Sequence, residues 1–111
     1  MWVFLKDSFL SITRNPEDER LLQVRGRLPG DIERVFPEAD VVERPGREYR
    51  FGTSLKPSRV VEAIGLALEH IDYDRLGEAI GPGPRRELYE QVQHIMHEAQ
   101  DKSPADDAKA L

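Results

Sequence analysis

The sequence predicts a single small α+β domain, in which a mainly antiparallel sheet of about five strands carries helices on one face. Three observations support this class. The chain has 111 residues, a length that suits one hydrophobic core. Short β-prone segments dominate the first half, whereas apolar residues recur at helical spacing in the second half. Short, turn-like connections separate the β-prone segments, and such connections join antiparallel neighbours.

The stretch MWVFLKDSFLSI predicts a β-hairpin. Two β-prone runs flank Lys6 and Asp7, a spacing typical of a tight turn. The same charged residues interrupt the apolar run, so the stretch lacks the roughly 7–15 apolar residues of an export signal. No segment has the run of about 20 apolar residues that spans a membrane. We therefore expect the stretch to belong to the folded core, and the lack of cysteine favours a cytoplasmic location.

A third strand and a short helix are predicted next. Apolar and polar residues alternate over residues 21–27, as in a half-buried strand. Asp31 follows a Pro-Gly turn and is a suitable N-cap for a helix. The apolar residues after it have the i, i+3, i+4 spacing of a helix face: Ile32, Val35 and Phe36. Pro37 ends this helix after about two turns.

A second hairpin is predicted over residues 40–51. Its arms, residues 40–43 and 48–51, flank Arg44-Pro45-Gly46-Arg47. Proline fixes one φ angle and glycine permits the positive φ of the next position, so Pro-Gly at the centre is typical of a type II turn.

Two amphipathic helices are predicted in the second half. The first opens at Lys56-Pro57-Ser58, ends near Ile71, and has an apolar stripe of Val60, Val61, Ile64, Ala67, Leu68 and Ile71. A short turn of helix within residues 72–80 precedes the break Gly81-Pro82-Gly83-Pro84. The second helix follows from Arg85, with a stripe expected to face the core: Leu88, Val92, Ile95, Met96 and Ala99. These elements predict a broadly ferredoxin-like domain over residues 1–101 and a flexible polar tail over residues 102–111.

Four stretches of the chain carry a resemblance to a known group. They are MWVFLKDSFLSI, LLQVRGRLPGDIERVFPEADV, Tyr49-Arg50-Phe51 and Ile71-Asp72-Tyr73. Together they resemble a group of short bacterial proteins of unassigned function, over most of residues 1–75. Members of the group tend to have Asn in place of Lys6 and a Tyr-Pro-Asn-Phe-like stretch in place of residues 73–76. The resemblance implies one folding unit and no activity, cofactor or catalytic residue.

Charge is distributed unevenly along the chain. Residues 20–59 carry nine Lys and Arg against six Asp and Glu, whereas residues 60–111 carry five against eleven. Twelve of the sixteen cations are Arg, whose planar fork suits carboxylates and phosphates. The pattern predicts a basic sheet side with Arg25, Arg27, Arg47 and Arg50. It also predicts an acidic helical surface with Asp72, Asp74, Glu78, Glu87, Glu90 and Glu98.

The last predicted helix holds the best candidate metal ligands. Glu90, His94 and His97 lie at i, i+4 and i+7, and His with carboxylate suits zinc or nickel. The apolar stripe directs these side chains to the solvated side of the helix, and no fourth ligand is identifiable. A solvated helix face is therefore favoured over a metal site, and we expect no cofactor.

A second polar cluster combines His70 with Asp72 and Asp74 at the end of a predicted helix. A His beside carboxylates can act as a general acid or base. The sequence has no cysteine and no Gly-x-Ser-x-Gly nucleophile motif, and a cationic His is favoured at a helix C-terminus in any case. A small metal-dependent or His/Asp-based enzyme is therefore an alternative that the sequence favours less.

An RNA-binding sheet is a further alternative. Arg side chains neutralise phosphates, and aromatic side chains stack on bases. Side chains alternate between the two faces of a strand, so Tyr49 and Phe51 would lie on one face and Arg50 on the other. Both aromatic residues are therefore expected to face the helices. Pairing of Arg with Glu across strands explains the Arg residues more simply, and nucleic acid is disfavoured as a partner.

The sequence thus predicts a non-enzymatic protein–protein interaction module. Opposed charges on its two sides suit a protein partner and also allow a homodimer. One specific form is an inhibitor, encoded by a phage or mobile element, of a host nucleic-acid-binding complex. In this anti-CRISPR-like role the carboxylates of the acidic helical surface would occupy Arg and Lys positions that normally bind phosphates.

Overall fold

The computed structural model describes residues 1–103. These residues form one antiparallel sheet, whose strands are β1 (Trp2–Phe4), β2 (Phe9–Arg14), β3 (Leu22–Gly26), β4 (Val42–Glu43) and β5 (Phe51–Leu55). The helices are α1 (Asp31–Val35), α2 (Pro57–Glu69), α3 (Leu76–Ile80) and α4 (Pro84–Lys102). The predicted α+β class is confirmed. Within the described residues, no helix is both long and apolar enough to cross a membrane.

The strands lie in the order β1-β2-β3-β5-β4, and each pairs antiparallel with its neighbour. The first three strands form a meander, and β5 lies between β3 and β4. A broadly ferredoxin-like arrangement is not confirmed, because that fold has a helix after its first strand whereas here three strands precede α1.

The chain divides into two compact units, Met1–Tyr73 and a second that begins at Asp74. The first unit holds the whole sheet with α1 and α2, and the second holds α3 and α4. The sequence predicted one domain over residues 1–101, without this division.

The first hairpin has the predicted turn. The Leu5 N–H donates to the Ser8 carbonyl at 2.8 Å, so Lys6 and Asp7 form a two-residue loop. The strands then pair with Phe4 opposite Phe9. The N-terminal stretch therefore belongs to the sheet, as predicted.

The second hairpin confirms the predicted turn but is shorter than expected. The Arg47 N–H donates to the Arg44 carbonyl at 3.3 Å, and Gly46 has a φ of +83°, as a type II turn requires. The strands are only Val42–Glu43 and Phe51–Leu55, so residues 48–50 lie outside the strand to which the sequence assigned them.

One face of the sheet packs against α1 and α2 to form the core of the first unit. Its buried residues are Leu10, Ile12, Val24, Ile32, Phe36, Val60 and Ala63. Alternation along the strands places Leu10 and Ile12 of β2 and Val24 of β3 on this face. In α2 only part of the predicted apolar stripe is buried. Val61, Leu68 and Ile71 are exposed, which corrects that prediction.

Asp31 has a different role from the predicted N-cap. Gly30 is the N-cap of α1, with a φ of +88°, and Asp31 is the first helical residue. The Asp31 side chain is fully buried and accepts a hydrogen bond from the Phe9 N–H at 3.0 Å. It also accepts one from Arg34 at 2.9 Å. The carboxylate therefore joins α1 to the start of β2.

The second unit contains the predicted short helix and the predicted last helix. Gly81 and Gly83 both have positive φ angles and separate α3 from α4, as the break at residues 81–84 predicted. The expectation that the α4 stripe faces the core is wrong: Leu88, Val92, Ile95 and Met96 are exposed. Tyr89 is instead the buried residue of α4. Lys102 ends α4, and most of the predicted tail, residues 104–111, lies outside the described residues.

A candidate binding site on the outer face of the sheet

The face of the sheet opposite the core, which we call the outer face, carries aromatic and Arg side chains. One row of paired residues crosses the sheet on this face, from β1 to β4: Trp2, Ser11, Arg25, Gly52 and Val42. Because cross-strand partners point to the same side, their side chains form a continuous strip. The strip is apolar near β1 and has a cation at its centre.

Three aromatic rings, those of Trp2, Phe4 and Phe9, cluster at the β1 end of the outer face, around the first residue of the strip. The Trp2 ring lies edge-on to Phe9, with ring centroids 5.6 Å apart, and Phe4 packs on Phe9 at 4.6 Å. The Trp2 Nε1–H donates a hydrogen bond to the Tyr49 hydroxyl at 3.0 Å. Trp2 remains 61 % exposed, so this end of the strip is open to solvent.

Tyr49 supports the guanidinium groups of two Arg residues. The Cζ atoms of Arg25 and Arg27 lie 4.4 Å and 4.2 Å from the centroid of its ring. The ring is only 7 % exposed. The prediction that Tyr49 faces the helices is therefore wrong, although Phe51 does pack against the core. The strand begins only at Phe51, so its alternation does not extend back to Tyr49.

Arg25 is the central cation of the outer face. Its Nη2 donates to the Ser11 hydroxyl at 3.3 Å, while its Nε is buried and has no hydrogen-bond partner. Among residues 1–103, no carboxylate lies within salt-bridge distance of Arg25. A partly desolvated cation without a counter-ion is costly. The fold thus keeps a positive charge in place without neutralising it.

A concavity of about 390 Å³ opens beside Arg25, which we call the arginine concavity. Residues of β3, β4 and β5 and of the turn between the last two strands line it. Its charged lining residues are Arg25, Arg44, Arg47, Arg50, Asp40 and Glu48. Its volume is in the range of about 300–1,000 Å³ that is usual for ligand sites.

Ion pairing leaves a positive balance in the arginine concavity. Arg50 pairs with Glu43 at 2.7 Å, and Glu48 lies 3.6 Å from Arg27. Among the described residues, neither Arg44 nor Arg47 has an ion pair, so both resemble Arg25 in this respect. Three guanidinium groups and one carboxylate, that of Asp40, therefore line one depression without ion pairs in the described part of the chain, which leaves a balance of two positive charges (three minus one).

Gly52 forms part of the lining between Arg25 and Val42, its partners in the ladder. A Cβ atom at Gly52 would make only ordinary contacts, 3.8 Å from the Arg25 Cγ and 3.9 Å from the Val24 carbonyl oxygen. The glycine is therefore not required by the backbone, and its missing side chain leaves space in the arginine concavity.

The structure brings most of the predicted basic residues to this site. Arg25, Arg47 and Arg50 line the arginine concavity, and Arg27 stacks on Tyr49 beside it. Sequence reasoning did not assign Gly52 to the site. A glycine within a β-prone run can indicate a close approach of a ligand, and this was the available signal.

The predicted acidic surface is divided between the two units. Asp72 belongs to the first unit, and the other five residues belong to the second: Asp74, Glu78, Glu87, Glu90 and Glu98. Glu90 is paired with Arg86 at 3.0 Å and Glu98 with His94 at 3.2 Å.

The candidate metal ligands do not converge. In the described part of the chain, no group of three or more His, Cys, Asp or Glu residues could hold a metal ion. Glu90 instead contacts Arg86, as noted above, while His97 lies 3.5 Å from Asp101. His70, the proposed acid or base, is the C-cap of α2 and lines a separate concavity of about 240 Å³.

The clear pKa shifts lie outside the arginine concavity. A hydrogen bond from Arg59 lowers the pKa of Glu38, and a hydrogen bond from Arg20 lowers the pKa of Asp18. In both pairs the pKa of the Arg is raised by the same contact. These are surface ion pairs of the scaffold, and neither contributes to the lining of the concavity.

Comparisons with known proteins add no further assignment. The chain matches no protein-family model, and searches of curated proteins and of solved structures find no significant match. The chemistry of the outer face is therefore the basis for a functional conclusion.

Proposed function

We propose that the protein is a non-enzymatic interaction module that binds an anionic segment of a partner protein at the arginine concavity. The observation that carries this proposal is Arg25, a partly buried cation that has no carboxylate partner among the described residues. An anion that bound there would compensate the charge, and Arg44 and Arg47 would add to the attraction.

Binding explains this site better than catalysis does. Its cations are Arg side chains, which stay protonated at all physiological pH values and cannot transfer protons in general acid–base catalysis. Among the described residues no His lines the arginine concavity, so its lining offers no imidazole to activate the hydroxyl groups of Tyr49, Thr53 and Ser54. The stacking of Arg25 and Arg27 on Tyr49 holds the charges in position, which favours recognition of a ligand.

An inhibitor that acts through the acidic helical surface has less support. It rests on charge alone, and Glu90 and Glu98 are engaged by basic partners on their own helix. We therefore assign the docking role to the arginine concavity. A cytoplasmic location is part of the same proposal, because it would give the module access to intracellular partners.

Titration with charged peptides tests the proposal. Fluorescence anisotropy would follow labelled hexaglutamate and hexalysine at about 0.05 M and 0.15 M salt, over which screening increases. We expect hexaglutamate alone to bind, more weakly at the higher salt concentration. Arg25→Gln should weaken binding about tenfold, the effect of losing one charge-assisted contact of about 1.4 kcal/mol.

Arg20→Gln is the matched control, because it removes the same charge from a surface pair outside the concavity. Its affinity for hexaglutamate should equal that of the unmodified protein. Absence of hexaglutamate binding, or equal weakening by the two substitutions, would contradict the proposal.

A further inference from the structure

We infer that the chemical group recognised by the arginine concavity is a phosphate monoester on a side chain of the partner protein, an inference that rests on the proposed function. Four features of the concavity support it: its cations without ion pairs within residues 1–103, the position of Arg25, the lining residues, and the space above Gly52.

The number of free cations matches a phosphate better than a carboxylate. Arg25, Arg44 and Arg47 line the concavity without ion pairs among the described residues, and Asp40 is the unpaired carboxylate beside them, so the balance is two positive charges (three minus one). A carboxylate brings one negative charge, whereas a phosphate monoester brings about 1.5–2 negative charges and three acceptor oxygens. Arg is also the residue best suited to bind phosphate oxygens in pairs.

Arg25 is positioned before any ligand binds. Its guanidinium stacks on Tyr49, and its Nη2 bonds to Ser11. The side chain has therefore already lost much of its conformational freedom, so that ordering it costs little on binding. The buried Nε–H of Arg25 is shielded from water, so it also provides a slowly exchanging NMR probe inside the site.

The surroundings disfavour a nucleic acid as the source of the phosphate. The aromatic lining residues are Tyr49, which is buried under guanidinium groups, and Phe51, which packs against the core. Neither offers an open ring on which a base could stack, and the exposed ring of Trp2 lies outside the lining of the concavity. Residues 1–73 carry eleven Lys and Arg against thirteen Asp and Glu, so outside the concavity this unit has no excess of positive charge for the many phosphates of a nucleic acid. A single phosphate on a protein segment needs only the cations of the concavity.

Gly52 supplies the space for the phosphate. Valine there suits a β-strand, and its Cβ would meet nothing closer than 3.8 Å. Its methyl groups would extend into the arginine concavity between Arg25 and Val42. Gly52→Val thus blocks the site while keeping every charge, which separates occupancy of the concavity from general electrostatic attraction.

The test uses three heptapeptides with Gly and Ser flanks that differ only at the central residue: phosphoserine, glutamate or serine. Two-dimensional ¹H–¹⁵N NMR would record the backbone amides and the Arg25 Nε–H during titration. We expect the phosphoserine peptide to bind at least about tenfold more tightly than the glutamate peptide and to shift the Arg25 Nε–H. Gly52→Val and Arg47→Gln should each abolish or strongly weaken this binding, whereas Arg20→Gln should not.

Each other outcome overturns a defined statement. Equal binding of the phosphoserine and glutamate peptides leaves the proposed function intact and refutes the phosphate inference. No binding of either peptide refutes both. If free phosphoserine or inorganic phosphate binds as tightly as the phosphoserine peptide, the inference that the phosphate is carried by a partner protein is refuted. If a single-stranded oligonucleotide binds more tightly than the peptide, the inference is refuted and nucleic acid is the favoured partner. A Gly52→Val protein with a native spectrum and unchanged affinity refutes the site itself.

Discussion

The buried carboxylate of Asp31 gives a sharp prediction about stability. Asp31→Ala removes the acceptor of the Phe9 N–H, which lies 3.0 Å away, and the partner of Arg34. A hydrogen bond to a charged group contributes about 1.5–3 kcal/mol, and a buried N–H left without an acceptor costs about 1–3 kcal/mol. These two effects overlap, and Arg34 is 46 % exposed and regains water. We expect the free energy of unfolding to fall by about 3 kcal/mol.

Urea denaturation followed by circular dichroism measures this loss. Asp31→Asn should lose about half as much, because its amide keeps one acceptor oxygen and can satisfy only one of the two donors. Glu33→Ala is the control, since Glu33 is an exposed acidic residue of the same helix and should change stability by less than about 0.5 kcal/mol. A loss below about 1 kcal/mol for Asp31→Ala, or equal losses for Asp31→Ala and Glu33→Ala, would refute the role assigned to this carboxylate.

Two further predictions concern a turn and a surface ion pair. Gly46→Ala should lower the free energy of unfolding by about 1–2 kcal/mol in urea denaturation, because Gly46 has a φ of +83°. Gly65→Ala lies in the middle of α2, where a Cβ meets nothing within 4 Å, and should instead raise the free energy of unfolding by about 0.5–1 kcal/mol. If both substitutions changed the free energy of unfolding in the same direction, this explanation would be contradicted. A hydrogen bond from Arg59 lowers the pKa of Glu38 below its ordinary value of 4.5, so the unfolded chain binds a proton there more readily. The stabilisation by this pair is therefore fully present above about pH 4.5 and is lost as the pH falls through the lowered pKa. At pH 7 the free energy of unfolding should therefore be higher for the unmodified protein than for Glu38→Gln, and this difference should shrink as the pH falls below about 4.5. A difference that grows as the pH falls would contradict the direction of the pKa shift.

Local chemistry made the hairpins predictable. The turn at Pro45-Gly46 and the tight loop at Lys6-Asp7 depend on residues within a few positions of each other, so the sequence contains their signals. The position of β5 between β3 and β4 depends on long-range pairing, and no short segment encodes it. The role of Asp31 was missed for the same reason, since its donor Phe9 lies 22 residues away in the chain.

The candidate site was predictable in composition but not in geometry. Arg25, Arg47 and Arg50 were identified from their residue type and their place near strands. The orientation of Tyr49 was not, because periodicity reports the face of a residue only inside a strand and β5 begins at Phe51. The helical spacing in α4 likewise identified a helix correctly, but a periodic apolar stripe does not reveal whether any part of the protein covers it.

The short edge strands affect how this protein can associate with other chains. Both edges of the sheet are short, with three residues in β1 and two in β4. Long open edges recruit strands from other molecules and promote aggregation, whereas here β4 pairs only with Phe51 and Gly52, so this edge is divided between β4 and the end of β5. A partner of the proposed kind would therefore gain little from extending the sheet, and side chains would supply most of its contacts. Selectivity could then evolve through single substitutions on the outer face, without disturbing the strand pairing that maintains the fold.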